Sequence, residues 1–194
     1  MGPVRSGPSG LGSLVLRPVE PSDMSGLYRW ATDLEDGYRW RFGGSTPSPE
    51  QFGQALWTDV LCHYVLVDEG AAALRSDPKA YVACYGANLK NGYAYIGVQG
   101  PRVDGVSLAP MVGILQLIEH VFNSWPFRKL YAEVPEFNVE SLKSALDLMR
   151  VEGRLTDHVW ARGRFWDELI VVLERDVWLR EIRPRFTKVL RSNS

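Results

Sequence analysis

Ala80-Tyr81-Val82-Ala83-Cys84-Tyr85, then Asn88-Leu89-Lys90-Asn91-Gly92, then Tyr93-Ala94-Tyr95-Ile96-Gly97-Val98: the reading of this stretch decides the fold. Two short runs of aromatic and β-branched residues flank a polar connection ending in glycine, the pattern of an antiparallel hairpin. After a loop from Gly100 to Ser107 the period changes. Met111, Leu115, Ile118 and Phe122 recur at steps of four, three and four, which places them on one stripe of a helix that should cover the sheet. Lys129 to Val134 returns to strand character, so a helical crossover stands in the middle of the chain.

Working outward, His63 to Val67 supplies a third antiparallel strand. Gly43 to Pro49 reads as a loop, and Pro49-Glu50 suits the first turn of a helix through about Trp57. Leu14 to Pro18 is a short strand, followed by Ser22 or Asp23 as the cap of a helix to about Leu34 with Met24, Leu27, Trp30 and Ala31 on its apolar face. Downstream, Val139 to Met149 is a helix with Leu142, Ala145, Leu146 and Met149 inward, and strands follow near Val159 and from Glu168 to Leu173. The order βααβββαβαββ predicts an α+β fold, a mixed, mostly antiparallel sheet of about seven strands flanked by helices.

The chain has 194 residues, 45% of them hydrophobic, which suits one core in one domain, here 14–178. Met1 to Ser13 is expected to be a flexible tail, and 179–194 a basic extension, either a solvated tail or a partner contact. A formal charge of -1 provides no field toward nucleic acid or an anionic membrane. Cys62 and Cys84 are too few for a disulfide framework and read as buried thiols, and no apolar run approaches the roughly 18–20 residues of a membrane span. A soluble, cytoplasmic protein is expected. His63, His120 and His158 show neither nucleophile nor metal spacing, so no metal is expected, although His158 beside Trp160 suits the lining of an acceptor site.

Several stretches carry a resemblance. Leu14-Val15-Leu16-Arg17-Pro18-Val19-Glu20-Pro21-Ser22-Asp23 at the start, then Phe137-Asn138-Val139-Glu140-Ser141, Val151-Glu152-Gly153-Arg154-Leu155 and Gly163-Arg164-Phe165-Trp166-Asp167 occur in order at consistent spacing. Together with the element order they resemble the GNAT N-acetyltransferases, in particular the branch acting on ribosomal-protein N-termini, over about Leu14 to Trp178.

The resemblance implies an acyl-CoA-dependent N-acyltransferase, with acetyl-CoA or another acyl-CoA as donor and an amine of a peptide, protein or small molecule as acceptor. In such proteins the pantetheine arm pairs with the fourth strand like an added strand. That role would fall to Tyr93 to Gln99, with Val98 and Gln99 at its end. Pyrophosphate would sit in Arg102-Val103-Asp104-Gly105-Val106-Ser107, a loop entering a helix whose free N–H groups favour an anion. The family's pattern is met at Arg102 and Gly105, whereas Ser107 replaces its last small residue and a register ending at Ala109 also fits.

The attacking amine must be neutral, so a base is needed. Glu133, in Leu130-Tyr131-Ala132-Glu133-Val134, stands where some members carry a glutamate base; alternatively it is an exposed strand carboxylate. Many members protonate the leaving thiolate with a tyrosine on the next helix, but no tyrosine follows Tyr131. Ser141 is the remaining hydroxyl for that role, or a residue of a first helical turn, and Asn138 is either a cofactor ligand or an N-cap. Tyr38 and Trp40, in Tyr38-Arg39-Trp40-Arg41-Phe42, either line an acceptor pocket or serve packing or a homodimer surface. The second functional reading is a non-catalytic acyl-CoA-binding or protein-interaction module of the same fold.

Overall fold

The computed structural model describes residues 14–35, 37–40, 42–69, 77–101 and 107–187. Seven strands form one sheet: β1 (Leu14–Pro18), β2 (Val60–Asp68), β3 (Ala80–Asn88), β4 (Tyr93–Gln99), β5 (Lys129–Pro135), β6 (Arg150–Ala161) and β7 (Arg164–Glu174). Their spatial order is β1-β2-β3-β4-β5-β7-β6. Only β4 and β5 run parallel, because the helix α3 (Ala109–Ser124) carries the chain across between them. Among the described residues the other α-helices of eight or more residues are α1 (Met24–Ala31), α2 (Pro49–Trp57) and α4 (Val139–Leu146).

Local chemistry sets these boundaries. Ser48 accepts from the Gln51 N–H while the Gln51 side chain accepts from the Ser48 N–H, and Pro49 fills the first helical position, so α2 begins where expected. Asp23 accepts from the Glu20 N–H at 2.8 Å and is held by both outer nitrogens of Arg17 at 2.8 and 3.0 Å, with only 4% of Asp23 exposed. This buried pair joins β1 to the entrance of α1.

Two layers cover the sheet. On one face α3 packs Leu115, Ile118, Val121 and Phe122 against Val82, Cys84, Ala94, Ile96 and Leu130. Gly113 allows the closest approach, since a Cβ there would lie 3.2 Å from Val82 Cγ1. On the other face Leu27 and Ala31 of α1 and Phe52 and Leu56 of α2 cover Val65, Val67, Tyr81 and Ala83. This second cover stops at β3, which leaves that face of β4, β5, β7 and β6 open.

Three boundaries differ from the sequence reading. α1 ends at Ala31, because Thr32 has left helical dihedrals and its hydroxyl bonds back to the Tyr28 carbonyl. β6 and β7 form a long hairpin that begins at Arg150, well before Val159. The domain also extends past Trp178: Trp178 and Ile182 are buried in the α3-side core, and Arg183 pairs with Glu119 at 2.6 Å. Arg175 anchors this C-terminal segment by donating to the carbonyls of Phe127, Phe122 and Trp125. The charged surface of 175–187 therefore accompanies a buried apolar stripe, and the segment is not a free tail through Ile182.

Candidate functional site

β4 and β5 pair at Tyr93↔Lys129, Ala94↔Leu130 and Tyr95↔Tyr131, and then separate. Beyond that vertex Ile96–Gln99 and Ala132–Pro135 have no register with each other among the described residues, although β4 stays paired to β3 and β5 to β7. The result is a wedge in the sheet bordered by two strand edges whose inner backbone groups are available to an extended ligand. Val98 and Gln99 are half-buried on one edge of it, and Ala109, at the start of α3, is 8% exposed. The Ser107 hydroxyl accepts from the Ala109 N–H at 3.3 Å, two residues before the helix is under way. Arg102, Gly105 and Val106 lie outside the described residues.

Strand alternation places Tyr131 and Glu133 on the uncovered face, where Tyr93 and Tyr95 of β4 and Tyr85 of β3 join them. Ring centroids lie 5.8 Å apart for Tyr85–Tyr95, 5.8 Å for Tyr93–Tyr131 and 5.6 Å for Tyr95–Tyr131. Gly97, opposite Ala83 in the register, leaves this floor low next to the tyrosines. Glu133 is exposed at the wedge, across from Ile170 of β7. Burial, with Glu133's charge second, raises the proton affinity of Tyr95, which therefore stays a neutral phenol.

Two further groups share this face. Glu168 lies across from Pro135 and Leu155, with 14% of its side chain exposed, and His158 Nε2 is 3.6 Å from its Oε2. Burial, followed by the charge of Glu133, pushes Glu168 above the usual carboxylate range, while His158 pulls it back. Farther toward the strand ends, Tyr38 packs edge-on to Phe137 at 5.2 Å and Phe137 to Trp166 at 5.5 Å. Arg162 donates to the Tyr38 hydroxyl and lies over its ring, fastening the loop after α1 to the β6–β7 turn.

The sequence-predicted residues thus fall into groups. Glu133, Tyr38 and His158 are brought to one open face with Val98 and Gln99 at its edge. Asn138 immediately precedes α4 and is half-buried, and Ser141 lies in the first turn of that helix. Of its two readings Trp40 takes packing, against its assignment to substrate binding: only 5% exposed, it stacks on Tyr81 at 5.5 Å and leans on Phe52, so it belongs to the core beneath α1 and α2 rather than to an acceptor wall. Glu168, Phe137, Trp166 and the tyrosine floor were not singled out from the sequence. The period-two spacing of Tyr93 and Tyr95 was the available signal for the floor.

Among the described residues no cluster of His, Cys, Asp and Glu could hold a metal, and no helix is long and apolar enough to cross a membrane. A carboxylate beside an open strand edge, with aromatic walls, can bind an extended polar ligand in the wedge and a protonated amine on the adjoining face.

No family model and no curated protein matches the chain. Solved structures do. Spermidine N-acetyltransferase from Vibrio cholerae, in complex with CoA and spermine, superimposes with a TM-score of 0.73 at 16% identity, covering 87% of this chain and 99% of that one. AAC(6')-Ib with paromomycin and acetyl-CoA gives 0.63 at 16% identity, covering 87% and 97%. NAA60 from Arabidopsis thaliana with acetyl-CoA gives 0.62 at 14% identity, covering 84% and 99%. At these identities the likeness establishes the fold, that of the GNAT acetyltransferases.

Proposed function

From a chain with the GNAT acetyltransferase fold we infer an acyl-CoA-dependent N-acyltransferase that moves an acyl group, in the first instance acetyl, directly onto a primary amine. The observation that carries this reading is the separation of β4 from β5 beyond Tyr95 and Tyr131, beside a face that presents Glu133. The inner edge of Ile96–Gln99 would pair with the pantetheine amides, and Arg102 to Ser107 with Ala109 would hold the pyrophosphate, Asn138 assisting. The bound thioester supplies an activated carbonyl. Glu133 takes the proton that frees the amine's lone pair. Ser141 is the hydroxyl assigned to the departing sulfur, and Tyr38 with His158 borders the acceptor.

The first acceptors to try are the N-terminal amines of ribosomal proteins, which the branch resembled in sequence acts on. A polyamine and an aminoglycoside follow, being named for the solved neighbours. Cytoplasmic residence belongs to the same reading, supported by two free thiols, Cys62 and Cys84. Calorimetry with acetyl-CoA and with free CoA tests the donor site, and release of CoA thiol over the amine panel tests transfer. Micromolar binding with acceptor-dependent thiol release is expected; binding without release on any amine would favour the second reading, a non-catalytic acyl-CoA-binding module. That reading draws on two departures from the family's pattern, the sequence of the loop from Arg102 to Ser107 and the lack of a tyrosine after Tyr131.

A further inference from the structure

β6 spends four residue steps, Leu155 to Val159, where β7 takes two, Glu168 to Trp166. The surplus forms a bulge. Asp157 sits there at φ 49°, a left-handed conformation unfavourable for a residue with a Cβ. Asp167 holds it: one carboxylate oxygen accepts from the Asp157 N–H at 3.0 Å and the other from Arg154 Nη1 at 2.8 Å. Bulges re-aim side chains, and this one turns His158 toward Glu168, with Nε2 and Oε2 3.6 Å apart.

We propose that Glu168 and His158 are a proton exit serving Glu133, a role that rests on the acyltransferase reading above. On the β5–β7 pair Glu168 is across from Pro135 and Glu133 across from Ile170, so the two carboxylates are diagonal neighbours on one face. Diagonal positions are roughly 7–8 Å apart, a gap that one water bridges between two side chains. Glu133 is exposed in the free protein, but an acceptor seated on the face covers it. Glu168 is mostly buried next to it, whereas His158, on the outermost strand, keeps 55% of its side chain in solvent.

The stoichiometry requires that a proton leave the site. The ammonium gives one proton to Glu133; the nitrogen lone pair then forms the N–C bond, and the C–S bond breaks with its electron pair on sulfur. The nitrogen loses a second proton and sulfur gains one, so one proton per turnover must reach water. In the proposed route it passes from Glu133 to Glu168, then to His158 and out. The other titratable groups near Glu168 leave this route open: Arg154, across from Leu169 and so on the opposite face, is engaged by Asp167 and by Glu136 at 3.5 Å, and Tyr131 lies farther down β5, bonded by Lys129 Nζ at 3.4 Å.

The test has two arms on the full-length protein. In the first, the Glu168 carboxyl is titrated by carbon NMR in the wild type, Glu133→Gln and His158→Asn. Its midpoint should lie above the usual glutamate range, fall in Glu133→Gln and rise further in His158→Asn. A midpoint that moves in neither variant overturns the proposal with no acceptor needed. In the second arm, Glu168→Gln and His158→Asn are assayed against pH with acetyl-CoA and the amine panel. Loss of about tenfold or more in kcat with an altered pH profile, at unchanged acetyl-CoA affinity, is expected. Wild-type kcat and pH profile in both variants would overturn the exit while leaving the acyltransferase standing; failure of the wild type to bind acetyl-CoA would remove the acyltransferase reading instead.

Discussion

One sheet face carries two unlike regions. Over β2 and β3 it is sealed by α1 and α2, and the rings there interlock: Trp40 stacks on Tyr81, and Phe52 meets Tyr28, Trp40 and Phe42 at 5.5, 6.2 and 5.5 Å. Over β4, β5, β7 and β6 the same face has no helix above it, and tyrosines, glutamates and a histidine stand there among Gly97, Ile170 and Val172. Both regions are aromatic, so aromatic content does not separate core from site. What separates them is whether a helix lies above, and the open region coincides with the place where two strands part.

The largest expected effect would come from emptying the sealed region. Phe52→Ala should cost about 3–5 kcal/mol in chemical denaturation, because Phe52 is 1% exposed and packs against three other rings. The matching change in the open region should behave in the opposite way. Glu133→Gln should lower turnover about 100-fold or more, while its denaturation midpoint stays within about 0.5 kcal/mol of wild type and its acetyl-CoA affinity is unchanged. A Glu133→Gln protein with full turnover would remove Glu133 from the chemistry and dissolve the contrast.

The two regions also separate in their pH response. His63 is 5% exposed beneath α2, bonded through Nδ1 to the Tyr81 hydroxyl at 3.2 Å, and burial lowers its pKa to about 4. The folded value lies below the unfolded one, so the unfolded chain binds the extra proton between about 6.5 and 4, and stability falls as pH drops through that window. Thermal melts across it should flatten in His63→Leu relative to wild type. The smallest effect is expected at the exposed edge: Arg150→Ala, which loses solvent-screened pairs with Glu174 at 3.0 Å and Glu152 at 3.5 Å, should leave the denaturation midpoint close to that of wild type.

Much of the fold was legible in the sequence because its signals are local. Met111, Leu115, Ile118 and Phe122 mark the stripe of α3, and Pro49-Glu50 marks the first turn of α2. The burial of Trp40 was not legible, since α1 and α2 fold over it from elsewhere and Tyr38, two residues earlier, faces the open side. The anchoring of 175–187 was missed because its basic side chains conceal Trp178 and Ile182. In the site, Glu133 was reached through the resemblance, because it stands where some members carry a glutamate base, and alternation along β5 then puts it on the open face. Glu168 and His158 could not, because a bulge breaks the period of β6, and the partnership depends on Asp167 and the φ of Asp157.

The central claim is that the wedge between β4 and β5 receives the acyl donor. Hydrogen exchange of the backbone amides of Ile96–Gln99 and Ala132–Val134, with and without saturating acetyl-CoA, tests it most directly. Slowed exchange concentrated on the β4 edge is the predicted result, as expected for an added strand. Unchanged exchange there, whether acetyl-CoA binds elsewhere or not at all, would contradict the account.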